Sequence, residues 1–337
     1  MPAKAQANIF DPPPPPVRKD MAAMRAALDN KIPAKLVDRN LLIATWNIRK
    51  FGGLTRKWTA ADSDSPKRDL RGLLAIAEII SRFDVVAVQE VGGDLRALRT
   101  LMKVLGPNWG FVMTDVTLGK AGAGERLAFV FDQRRVQLSG LAAELVVPPE
   151  QIAGGMDQGA LNRQFVRTPY AVSFRAGQDT FILTTLHVIY GHNAADREPE
   201  LRAIAKWLAD WSKRTNKWHQ NFIVMGDFNI DRKGDLLWQA FTSTDLMVPK
   251  ELHNVPRTVT ASKTRPQLEK FYDQIAWFAG PGAGKNRLGL EYAKRGGYFD
   301  FLRYVYGDKQ MTAKTKSYRL SDHFPLWVEF KRTRPLP

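Results

Sequence analysis

From Leu41 onward, short apolar runs alternate with longer amphipathic stretches. The β-rich runs are Leu41–Trp46, Val85–Val88, Leu127–Phe131, Ala171–Phe174, Phe181–Leu186, Phe222–Met225, Ile275–Phe278 and Phe324–Phe330. Each reads as a strand. Helical spacing marks Lys67–Ser81, Leu95–Leu105 and Asp196–Trp211. Several strands follow one another with no helix between them, so a purely parallel, doubly wound sheet fits poorly. Two β-sheets packed face to face, with helices outside, fit better. Residues 1–38 read as an N-terminal extension, 39–332 as the folded body and 333–337 as a tail. In the extension, Pro12–Pro16 favours polyproline II and reads as a stiff spacer. Behind it, Met21, Met24, Ala27 and Leu28 have helix-like spacing. The stretch Pro281–Arg319 is the least regular.

Composition adds a partner class. The chain of 337 residues carries 50 Lys and Arg against 34 Asp and Glu, a net charge of +16. Such a charge favours polyanions: nucleic acid, anionic lipid or phosphorylated metabolites. There is no cysteine, which excludes disulfides, thiolate nucleophiles and Cys-ligated metals. No apolar stretch is long enough to span a bilayer. The N-terminus lacks the apolar core of a secretory signal. A cytoplasmic location is therefore favoured, with secretion of a trimmed form left open. The sequence points to no protein partner.

The chemistry-bearing residues gather at strand ends. Asn47, Gln89-Glu90, His187 and Asp227-Phe228-Asn229 follow strands, while Glu125, Asp273 and Ser321-Asp322-His323 precede them. Strand ends and adjoining loops are where a rigid scaffold presents catalytic groups. Phosphodiester hydrolysis asks for an in-line water, neutralised phosphate charge and a proton for the leaving oxygen. Carboxylate and amide oxygens suit the hard cations Mg²⁺, Mn²⁺ or Ca²⁺. Glu90 is the natural direct ligand, and Asp322 and Asn47 complete the set directly or through water. Histidines supply acid and base near neutral pH. Asn229 donates to the phosphate, with Asn47 assisting. No HxH or HExxH pair supports a zinc hydrolase. No GxxxxGK[ST] or GxSxG motif supports an NTPase or a serine hydrolase.

Seven segments, in this order, resemble the endonuclease/exonuclease/phosphatase superfamily and its deoxyribonuclease I-like branch. They are IATWNIRKFGG (43–53), VQEV (88–91), ERLAFVF (125–131), TLHV (185–188), KWHQNFIVMGDFNID (217–231), YDQI (272–275) and SDHFPL (321–326). The resemblance implies a four-layer α/β sandwich, with two packed mixed β-sheets flanked by helices, and makes 39–332 the catalytic domain. It implies that Glu90 binds a divalent metal with Asn47 and Asp322 beside it, and that Asp227 and Asn229 hold phosphate and water. His187 and His323 become an acid–base pair, with Glu125 orienting His187 and Asp273 orienting His323. Arg167 and Arg49 look like phosphate contacts, with a surface ion pair as the competing reading. The chemistry permits either histidine as acid. The expectation taken forward is that His323 activates water and His187 protonates the leaving oxygen.

The implied substrate is nucleic acid, with DNA favoured over RNA. Deoxyribonuclease I itself places groove-reading side chains after QEV and before the ERxxF segment. Here Gly92 and Ala121-Gly122-Ala123-Gly124 stand there, so the usual duplex docking is in doubt. Basic residues of Pro281–Arg319 (Lys285, Arg287, Lys294, Arg295, Arg303, Lys309, Lys314, Lys316 and Arg319), interleaved with Tyr292, Tyr298, Phe299, Tyr304 and Tyr306, offer a substitute nucleic-acid surface. The competing reading has these aromatics in the core. Two other functions stay open: hydrolysis of small or lipid phosphoesters, and a non-catalytic binding module.

Overall fold

The computed structural model describes residues 6–117, 124–145, 167–212, 221–260, 269–278 and 290–332. Its strands form two six-stranded mixed sheets. The first joins β1 (Asn40–Phe51), β2 (Val85–Gly92), β3 (Trp109–Met113), β4 (Glu125–Asp132), β11 (Glu291–Tyr298) and β12 (Leu326–Lys331), in the order β11-β12-β1-β2-β4-β3. The second joins β5 (Gln137–Glu144), β6 (Tyr170–Ala176), β7 (Asp179–His187), β8 (Phe222–Asp227), β9 (Leu246–Met247) and β10 (Asp273–Phe278), in the order β5-β6-β7-β8-β10-β9. The helices are α1 (Pro15–Lys31), α2 (Leu70–Ile80), α3 (Arg96–Leu105), α4 (Ala194–Ser212), α5 (Leu236–Thr242) and α6 (Ala313–Ser317).

Successive residues of β1 serve two cores. Leu41 and Ile43 join Val85, Phe129, Leu183, Ile223 and Val328 between the sheets. Leu42, Ala44 and Trp46 face the other way, against Met24, Leu73 and Ile76 of α1 and α2. A strand points alternate side chains to opposite faces. Because helices cover the outer face, both sets are apolar and the strand reads as an unbroken apolar run. On the far side, Leu201, Ile204 and Leu208 of α4 close the second sheet. The layers are helix, sheet, sheet and helix, the four-layer α/β sandwich expected. Each sheet contains one parallel pair, β1 with β2 and β7 with β8. The connections between those paired strands contain α2 and α4. All other pairings are antiparallel, which is why a doubly wound pattern failed.

Two expectations are corrected. The Pro run does not act as a spacer, because Pro15 and Pro16 begin α1, where proline suits the first turn. Val17, Met21, Met24 and Leu28 are buried there. Asp20 on the same face is buried too. It accepts from Arg71 Nε at 2.9 Å and from the Tyr306 and Gly307 backbone N–H groups. The interleaved aromatics named above in Pro281–Arg319 form no open stacking surface, because they pack inward. Tyr292 meets Trp277 and Phe330, Tyr298 meets Phe324, and Phe299 stacks with Tyr304. Tyr306 and Arg319 are fully buried. Lys285, Arg287, Ala121–Ala123 and the tail 333–337 lie outside the described residues. Among the described residues, no helix is long and apolar enough to cross a membrane.

Candidate active site

Strand register assembles the centre. In the second sheet, β8 lies between β7 and β10. Pairing sets His187 opposite Asp227 on one side and Asp273 opposite Asp227 on the other. The close approach at this edge needs Gly226, whose φ is +140°. A Cβ there would come within 2.1 Å of the Leu186 carbonyl oxygen. In the first sheet, β1 and β2 both slip register near their ends, between Asn47 and Phe51 and between Val88 and Val91. Such a bulge re-aims a side chain. Here Glu90 takes a left-handed backbone, φ 61°. Its Oε2 accepts from the Lys50 N–H at 2.8 Å and its Oε1 from Asn47 Nδ2 at 3.0 Å.

Asp227 Oδ2 is the point of convergence. Asn47 Nδ2 donates to it at 3.0 Å. His187 Nε2 lies 3.6 Å away and His323 Nε2 lies 3.9 Å away. The other oxygen, Oδ1, accepts from the Asn229 N–H at 2.9 Å. Asn229 is itself held at φ 50° and donates from Nδ2 to the Val188 carbonyl. Each imidazole has a carboxylate on its far nitrogen. His323 Nδ1 sits 2.6 Å from Asp273 Oδ2, and His187 Nδ1 sits 3.2 Å from Glu125 Oε2. For His323 that carboxylate hydrogen bond fixes the ring and leaves Nε2 to face the site, whereas Glu125 is a close charge beside His187 Nδ1 and not a hydrogen-bond partner.

Side chains given no role in the sequence expectations complete the frame. Ser321 Oγ donates to the Asn47 carbonyl and accepts from the His323 N–H. Trp46 Nε1 donates to the His323 carbonyl. Tyr272 stacks on the His323 ring with centroids 5.8 Å apart. Ser321, Tyr272 and Trp46 lie inside the recognised SDHFPL, YDQI and IATWNIRKFGG segments, which were the available signal. Arg167 Nε is 2.7 Å from Glu125 Oε2, and Arg49 Nη1 is 3.3 Å from Asp322 Oδ2. Both arginines therefore reach the centre as partners of acidic side chains. Asp322 is the outlier of the expected metal set, since it faces Arg49.

The charges are strongly coupled. Burial alone would raise Glu90 and Asp227, but the nearby imidazoles and N–H donors outweigh it and hold both carboxyls below their usual range. Burial alone would lower His323. The charge of Asp273 and its hydrogen bond, then Asp227 and Asp322, outweigh that and hold the ring well above its usual range. The residues also fit a hard cation. Asn47 Oδ1 is buried with no hydrogen-bond partner among the described residues, because Nδ2 is committed to the two carboxylates. An unpartnered buried acceptor costs about 1–3 kcal/mol unless something answers it. Glu90, Glu125 and His187 bring ligand atoms within 4.8 Å of one another, as do Asp227, Asp273 and His323.

Comparison with known proteins agrees with this geometry. The model of the Endonuclease/Exonuclease/phosphatase family matches residues 44–323. A deoxyribonuclease of Thioalkalivibrio sp. (strain K90mix) is 30% identical over 199 residues, or 57% of this chain. The match spans 46% of that relative, just under half its length. An endonuclease/exonuclease/phosphatase family protein from Bacteroides thetaiotaomicron superposes with a TM-score of 0.55 at 19% identity, covering 87% of this chain and 95% of that one. A mannosyl-6-phosphatase from Bacteroides thetaiotaomicron VPI-5482 superposes with a TM-score of 0.52 at 18% identity, covering 86% and 99%. At these identities the two structures speak for the fold alone. From its family match and its fold, the chain belongs to the endonuclease/exonuclease/phosphatase family.

Proposed function

We propose that the chain is a divalent-metal-dependent phosphodiesterase that hydrolyses nucleic acid as an endonuclease. The observation that carries this reading is the convergence of two carboxylate-backed imidazoles on Asp227 Oδ2. The net charge of +16 suits a polymeric anion. The likeness to a deoxyribonuclease at 30% identity points the same way.

In this reading Glu90 and Asn47 hold Mg²⁺, Mn²⁺ or Ca²⁺, with Asp322 at the margin. The ion, when bound, neutralises charge on the phosphoryl oxygens. Asn229 and Asp227 position phosphate and water. Arg167, anchored by Glu125, and Arg49, anchored by Asp322, bring positive charge to the two flanks. Water attacks phosphorus, and the bond to the leaving oxygen breaks. His323 gives its proton to that oxygen, and His187 takes the proton of the water. This order reverses the one expected from sequence. Asp273, Asp227 and Asp322 favour the protonated form of the His323 ring, which suits it to give a proton rather than take one.

An activated leaving group tests the assignment, because it needs no acid. His323→Ala is expected to slow cleavage of an ordinary oligonucleotide about 10²-fold, within the usual range for acid–base residues. On a nitrophenyl diester the same variant should lose less than about tenfold. His187→Ala should slow both substrates alike. The opposite pattern would return the acid role to His187.

A further inference from the structure

We infer that Tyr190 and Tyr318 form two base-stacking walls beside the catalytic centre, and that the substrate strand presents unpaired bases to them. The inference rests on the nucleic-acid reading above. A single exposed aromatic ring means little on a protein surface. Among the described residues, however, the exposed large aromatics are Phe10, Phe111, Tyr190 and Tyr318, and two of these four adjoin the site.

Tyr190 is 57% exposed and follows His187 by three residues. Its ring meets Tyr272 edge to face, with centroids 6.2 Å apart and planes at 83°. Tyr272 in turn lies over His323. The Arg197 guanidinium sits 5.3 Å from the Tyr190 ring centroid. Arg197 cannot drift, because it is buried, donates to the Asn229 carbonyl and pairs with Asp231 at 2.6 Å. Tyr318, three residues before Ser321, is 43% exposed. The Arg49 guanidinium lies 4.0 Å from its ring centroid. That arginine also reaches Ser317 Oγ and Asp322, the neighbour of His323.

Each wall is thus a tyrosine braced by an arginine that is itself tied to the centre. A rigid ring loses little entropy when a base lands on it, and an aromatic face accepts any base. Arg49, whose side chain is partly exposed, adds charge where a flanking phosphate passes. A base inside a duplex has both faces covered by its neighbours. These walls therefore favour single-stranded or locally opened substrate.

The test compares a thymidine dinucleotide with analogues lacking one base. For the wild type, removing either base should raise KM about tenfold, the loss expected for one stack. Tyr190→Ala should raise KM for the intact dinucleotide by a similar factor and become insensitive to one of the two base removals. Tyr318→Ala should do the same for the other base. Tyr190→Phe should restore the wild-type KM, while Tyr190→Leu should not, which separates stacking from mere bulk. A KM within twofold of wild type for both alanine variants overturns the inference and leaves the function reading standing. So does a preference for intact duplex over single strands. If the wild type cleaves no nucleic acid, the function reading fails and takes the inference with it.

Discussion

Asp227→Asn is expected to lower kcat about 10³-fold or more, equivalent to about 4 kcal/mol of transition-state stabilisation. The carboxylate faces Nε2 of His187 and of His323 and the Asn47 amide through one oxygen, and fixes Asn229 through the other. An amide keeps the shape but removes the negative charge. It also brings a second NH₂ group against Asn47 Nδ2, or turns one toward the Asn229 N–H. The His323 proton then loses one of the charges that hold it, so its pKa falls toward the usual range. Steady-state kinetics, with circular dichroism to confirm folding, reads the effect. A loss smaller than tenfold would mean that the convergence on Asp227 is not the reacting centre.

The second large effect concerns stability. Asp20→Ala should destabilise the fold by about 3 kcal/mol, the lower end for breaking a buried ion pair from one side. Asp20 reaches from α1 to Arg71 in α2, at 2.5 Å from Nη2, and accepts the Tyr306 and Gly307 N–H groups. Its removal leaves the buried Tyr306 N–H without an acceptor. Arg71 keeps Asp308 at 2.7 Å, which is why the lower end is expected. Urea unfolding measures the change. A difference below about 0.5 kcal/mol, the scale of ordinary surface substitutions, would show that α1 is dispensable to the body of the fold.

All eight β-rich runs read from the sequence lie in or overlap strands, because their apolar content is dictated by burial on one or both faces. Of the missed elements, β3 is an apolar run that was left unread, and the others lack that signature. β5 alternates exposed and half-buried residues at a sheet edge, and β11 carries Lys294, Arg295 and paired glycines. β9 has two residues and α5 seven, too short for periodicity to register. The site was legible as a set of residue types at strand ends. What the sequence could not supply was register. Only the pairing of β8 with β7 and β10 brings His187, Asp227 and Asp273 side by side. Proton ownership was equally hidden, since it depends on which charges surround each ring. Tyr190 carried no motif at all, and its interest comes from the Tyr272 and Arg197 contacts that only the fold creates.

The most direct measurement is the rate at which the purified chain cleaves single-stranded DNA, RNA, supercoiled plasmid and a phosphomonoester, each with Mg²⁺, with Mn²⁺ and with EDTA. Expected is metal-stimulated cleavage of nucleic acid, abolished by EDTA and slowed about 10²-fold by His187→Ala, with little phosphate released from the monoester. Phosphate release from the monoester with every nucleic acid left intact, or cleavage unaffected by EDTA, would contradict it.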